Sequence, residues 1–157
     1  LFPYTTLFRS TSSFIGLAAL EQIPEPFDLL LVDYSLNDYF LVQDEKQHAS
    51  LLVITEMIVR LAFMRNSAVL YIAELQVTSM VEDAYNVVLS NYSVPLLSYR
   101  AVIIEDVRLY VPLIRHSFPP QWATPLSQFH PRYPTHCMLA QTVAHYMTRL
   151  AERVDNS

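Results

Sequence analysis

Two short stretches hold the side chains best suited to chemistry. The first is Ser35-Leu36-Asn37-Asp38, directly after the apolar run Phe27–Tyr34 (FDLLLVDY). A neutral amide such as Asn37, standing beyond the end of a strand, can donate to a developing oxyanion, a contact worth about 3 kcal/mol. Asn37 and Asp38 also suit a turn and a helix cap, and spacing alone favours that structural role. The second stretch is Phe129-His130-Pro131. The His130 imidazole can serve as general base because its ordinary pKa lies near neutrality. Taken by itself it reads better as one of five ordinary histidines, here on a surface loop. His136 opens the last helix and suits a hydrogen bond to loop backbone better than a substrate contact.

Other chemistries find less support. His130, His136, Cys137 and His145 show neither the HExxH spacing nor the paired cysteines of a metal site, so no metal and no cofactor is expected. The carboxylates are scattered, with no pair of the glycosidase kind. Cys137 is the only cysteine, which excludes an internal disulfide. Glycine occurs once, at Gly16, where ordinary usage gives about eleven. That excludes the phosphate-cradling P-loop and the dinucleotide-binding loop, both of which need several glycines. A net charge of −5 and nine scattered arginines argue against nucleic acid as a partner.

The elements that must position these groups follow from apolar periodicity. A short helix is expected from Thr11 to about Gln22, stopped by Pro24 and Pro26. Phe27–Tyr34 and Ala68–Leu75 (AVLYIAEL) have the length and flanks of strands buried on both faces. Between them, Gln47–Arg65 sets Leu51, Ile54, Ile58 and Leu61 on one helical face. The apolar run Leu51–Met64 is interrupted by Glu56 and Arg60 and is shorter than the roughly 20 residues of a membrane helix, so it reads as a buried helix and no membrane span is expected. Ser79–Tyr92 is a further amphipathic helix, Pro95–Ser98 a short strand, and Arg100–Tyr110 another helix. Pro112–Pro134 holds six of the ten prolines and reads as irregular. Leu139, Val143, Tyr146, Leu150 and Val154 form the inner stripe of a C-terminal helix, and Met138 and Met147 read as core. Strands alternating with helices predict an α/β protein with a parallel sheet.

The first ten residues, LFPYTTLFRS, resemble the in-frame translation of a common sequencing adaptor. They are set aside from fold reasoning. The natural protein is then expected to extend upstream, and residues 11–157 to be the C-terminal part of a single domain.

Taken together, these features resemble the SGNH (GDSL-type) hydrolase family. FDLLLVDYSLND stands where that family has a strand ending in Gly-x-Asn-Asp, and SQFHPRYPTH where it has Asp-x-x-His-Pro and a later Gly-His. The resemblance implies a three-layer α/β/α fold around a parallel, flavodoxin-like sheet whose first strand is missing here. It implies a serine esterase acting on carboxylic esters of carbohydrates or lipids, with His130 as general base and Asn37 as oxyanion donor. Ser127 stands in the place of the triad aspartate, and Ser35 and Thr135 stand where the motifs carry glycine. The family's nucleophile lies in a Gly-Asp-Ser block upstream of anything here, so the nucleophile is expected to be absent and the chain alone inactive. Two alternatives remain: a non-catalytic SGNH-like domain that binds glycan or protein, and an unrelated flavodoxin-like protein. The compartment stays open, the secretory pathway included.

Overall fold

The apolar runs fold into alternating strands and helices in a computed structural model that describes residues 12–23, 26–39, 42, 45–74, 80–99, 101, 123–124, 127–131 and 133–155. The chain divides into two compact units, residues 1–98 and 99–157.

In the first unit the order is α1 (Ser13–Gln22), β1 (Leu29–Val32), α2 (Ser35–Tyr39), α3 (Glu45–Met64), β2 (Ala68–Ala73), α4 (Met80–Asn91) and β3 (Leu96–Ser98). The three strands form one parallel sheet in the order β1-β2-β3. The chain is therefore α/β, with α3 and α4 as the crossover helices that parallel strands require. Leu51, Ile54, Ile58, Val59 and Ala62 of α3 and Val81, Ala84, Tyr85 and Leu89 of α4 are buried in one cluster with Val32, Val69 and Tyr71 of the sheet. Helical spacing on α3 and α4 thus meets alternate residues of β1 and β2, which is why one sheet face forms the core.

β1 is not buried on both faces as its sequence predicts. Leu31 is 49% exposed, because Leu29 and Leu31 point away from the helices that cover Val32. The helix over Gln47–Arg65 is also longer than its apolar run, spanning 20 residues. Lys46–Met64 is long and apolar enough to cross a membrane, with mean hydropathy 1.3. One face of that helix nevertheless lies in the core described above, as a helix packed inside a folded unit does.

The chain manages its helix ends almost without glycine. Asn66 and Ser93 adopt φ of 56° and 55° just beyond α3 and α4. Ser67 N–H then donates to Ala62 O and Val94 N–H to Leu89 O, each at 3.0 Å, closing the left-handed helix ends usually given to glycine. Gly16 is needed for a different reason. A methyl group there would come within 2.6 Å of the Tyr34 hydroxyl oxygen, so α1 packs on the Tyr34 ring only because no side chain intervenes.

The second unit contains β4 (Ala123–Thr124), β5 (Ser127–Pro131) and α5 (Tyr133–Asp155). β4 and β5 pair antiparallel, with Ala123 opposite Pro131 and Thr124 opposite Ser127. The proline-rich stretch is therefore not irregular throughout. Pro131 ends β5, an edge strand of a two-stranded sheet, where proline is tolerated. α5 begins with Pro134 in its first turn, which costs no helical hydrogen bond. Its expected inner stripe is only partly inside: Leu139, Val143 and Tyr146 are half-buried, whereas Leu150 and Val154 are exposed. Met138 and Met147, expected in the core, are exposed as well, although the Tyr99 hydroxyl donates to Met138 Sδ at 3.5 Å. The helix expected over Arg100–Tyr110 lies almost wholly outside the described residues.

Candidate functional site

The carboxyl edge of a parallel sheet is where open α/β folds bind ligands, and β1 and β2 bring several polar groups there. After Val32 the chain passes through Asp33 and Tyr34 and turns at once into α2. Asn37 and Asp38 both donate their backbone N–H to Tyr34 O, at 3.0 and 2.9 Å. The expected turn is thus a short helix, and half-buried Asn37 lies within it.

Three contacts fix α2. The Ser35 hydroxyl accepts from the Glu74 backbone N–H at 2.8 Å, joining the start of α2 to the end of β2. Asp38 is fully buried, and its Oδ1 accepts from Ser13 N–H at 2.8 Å. Its Oδ2 accepts from the Tyr85 hydroxyl at 2.6 Å, reaching α4. Asp38 is therefore the cap that spacing allowed, but of α1 and not of its own helix. Ser12, at the ordinary cap position of α1, makes no side-chain capping bond, and α1 has no acidic residue in its first turn. A carboxylate supplied from α2 satisfies an orphan N–H and complements the positive end of the helix.

Burial pushes the Asp38 carboxyl above its ordinary range, and donation from Tyr85 and Ser13 opposes that rise. The Tyr85 phenol is held well above its ordinary value, first by burial and then by the Asp38 charge. Tyr71 packs edge-on against Tyr85 at 5.1 Å between ring centroids. Its hydroxyl lies 3.5 Å from Thr55 O.

A second pair of acids stands at the same edge. Glu74 follows β2 directly, is 8% exposed, and is the residue whose backbone N–H the Ser35 hydroxyl holds. Desolvation raises its pKa to about 8, and the charge of Asp33 adds to the rise. Asp33 is itself raised to about 6 by desolvation. Asp33 is exposed and Glu74 buried, so desolvation bears harder on Glu74. Sequence reasoning passed over this pair, although both carboxylates end apolar strand runs (FDLLLVDY and AVLYIAEL), a position that itself marks the ligand edge.

The chain matches no family model and no curated protein. What it can do must be argued from its own residues.

His130 and Ser127 both belong to β5 of the second unit, so His130 sits on a strand of a hairpin instead of an irregular loop. Asn37 belongs to the first unit. His136 and His145 are exposed on α5, Cys137 is half-buried there, and no group of three metal-ligating side chains occurs among the described residues.

Proposed function

We propose that the chain is part of an SGNH-type serine hydrolase that cleaves carboxylic esters, with a carbohydrate O-acetyl or lipid ester as substrate. The observation that carries this reading is Asn37 at the carboxyl end of β1, on a helix held from three sides by Ser35, Asp38 and their partners. An oxyanion donor is effective only if it is already oriented when charge develops, and a pinned α2 supplies that rigidity.

In this reading a serine encoded upstream of Thr11 attacks the ester carbonyl, and His130 takes its proton. The Asn37 side-chain amide donates to the oxygen that becomes negative. His130 then returns the proton to the leaving alcohol, and the acyl-enzyme is released by water with the same two groups in the same roles. Ser127 cannot supply the charge of a triad aspartate. Removing that carboxylate in a related triad costs up to about 10⁴ in rate, so turnover is slow unless His130 is oriented by another group. The three-layer, flavodoxin-like arrangement belongs to this proposal.

The reading requires a Gly-Asp-Ser block, after an apolar strand, in the transcript upstream of Thr11. Any other residue in the serine position overturns it. A second reading is favoured by Ser127 alone: a non-catalytic SGNH-like domain that binds glycan or protein through the same edge.

A further inference from the structure

The chain leaves α4 through Asn91-Tyr92-Ser93. Asparagine followed two residues later by serine, with a residue other than proline between them, is the acceptor pattern for an N-linked glycan. Asn37, Asn66 and Asn86 lack it, being followed two residues on by Tyr39, Ala68 and Val88. The pattern needs a surface turn, and the end of α4 provides one.

The middle residue is anchored, and the two that flank it face solvent. The Tyr92 hydroxyl donates to Glu56 Oε1 at 2.7 Å and accepts from Arg60 Nε at 2.8 Å, both on α3. Its ring meets the Phe63 ring edge-on, with centroids 6.2 Å apart. Asn91, the last residue of α4, and Ser93 are both exposed. Ser93 takes φ of 55°, so the backbone turns out of the helical path between the amide and the hydroxyl of the pattern.

The surroundings of Asn91 also suit a bulky substituent. Asp83, Asn86, Val87, Ser90 and Asn91 are all exposed and, at helical spacing, form the outer stripe of α4. Asn91 Nδ2 donates to Val87 O at 3.1 Å, one turn back, in an exposed bond that water can replace. A side-chain amide carries two hydrogens, so this bond survives the loss of one of them. Val87 itself is 57% exposed, and a substituent on Asn91 is its neighbour along the helix.

We propose that Asn91 is an N-glycosylation site, with the outer stripe of α4 facing the lumen of the secretory pathway or the extracellular medium. In the transfer, Asn91 Nδ2 forms a bond to C1 of the first sugar of a lipid-diphosphate-linked oligosaccharide. The bond from that carbon to the diphosphate oxygen breaks, the lipid diphosphate departs with the electron pair, and one amide proton is released. The site uses neither Asn37 nor His130, so glycan occupancy and the hydrolase reading fail independently.

The test uses the full-length protein, expressed from its own coding sequence in cultured eukaryotic cells and treated with peptide N-glycosidase in H₂¹⁸O. That enzyme converts a glycosylated asparagine to aspartate carrying ¹⁸O. Mass spectrometry of the peptide that holds residue 91 is expected to show the label there, and none without the enzyme. Asn91→Gln and Ser93→Gly should each abolish it. Ser93→Gly removes the hydroxyl while relieving the positive φ, so loss of the glycan in that variant is not loss of the fold. An unlabelled Asn91 in the native full-length protein, or a label that persists in Ser93→Gly, overturns the proposal.

Discussion

The Tyr85 hydroxyl donates to Asp38 Oδ2 at 2.6 Å, joining residues 47 apart in the chain, and both groups are fully buried. Through Asp38 the same contact reaches Ser13 at the start of α1. One carboxylate thus connects α1, α2 and α4, and two of its acceptor positions are filled by donors that water cannot replace. Tyr85→Phe leaves Oδ2 buried without its donor and is expected to destabilise the first unit by about 1–3 kcal/mol. Asp38→Ala strands Ser13 N–H and the Tyr85 hydroxyl together and should cost more. Urea unfolding followed by circular dichroism measures both; a loss below about 0.5 kcal/mol for Asp38→Ala would show that the network does not hold α2.

Glu74 gives stability a pH dependence of definite sign. Its folded pKa is about 8 against an ordinary 4.5, so the folded chain binds the proton more tightly than the unfolded chain. The resulting stabilisation is complete below about 4.5 and is lost as pH rises to about 8. Tm is expected to fall across that window and Glu74→Gln to flatten the fall. An unchanged slope in Glu74→Gln would remove Glu74 as its source.

Two glycine exchanges should act in opposite directions. Gly16→Ala drives a methyl group into the Tyr34 ring and should destabilise by about 1–3 kcal/mol. Ser93→Gly relieves a positive φ of 55° at the end of α4 and should stabilise by up to about 1 kcal/mol. Chemical denaturation of both variants checks the pair; a Gly16→Ala protein as stable as the native one would contradict the packing of α1 on Tyr34.

Much of the first unit was legible in the sequence because its signal is periodic. The spacing of Leu51, Ile54 and Ile58 identifies α3, and the unbroken run Ala68–Leu75 identifies β2 to within two residues. Features set by distant partners were not legible. Nothing near Asp38 shows that it caps a helix starting 25 residues earlier. The exposure of Leu31, Leu150 and Val154 depends on what packs against them, which periodicity does not encode. Proline content suggested an irregular loop around His130, yet Pro131 stands at the end of an edge strand, which tolerates it. At the site, Asn37 was visible as a residue type after a strand. The burial of Glu74 was not, because it depends on how the sheet edge is covered.

The 157-residue chain alone is expected to hydrolyse p-nitrophenyl acetate no faster than buffer, because the proposed mechanism places the nucleophile upstream of Thr11. Turnover above background that is lost on heating would contradict that assignment.

The most direct measurement of the proposed hydrolase is active-site labelling of the full-length protein with a fluorophosphonate probe, comparing the native protein with His130→Ala. The account predicts labelling of one serine upstream of Thr11, and its loss in His130→Ala because the serine then has no base to take its proton. Equal labelling of the native protein and His130→Ala, or no labelling of the native protein, would contradict it.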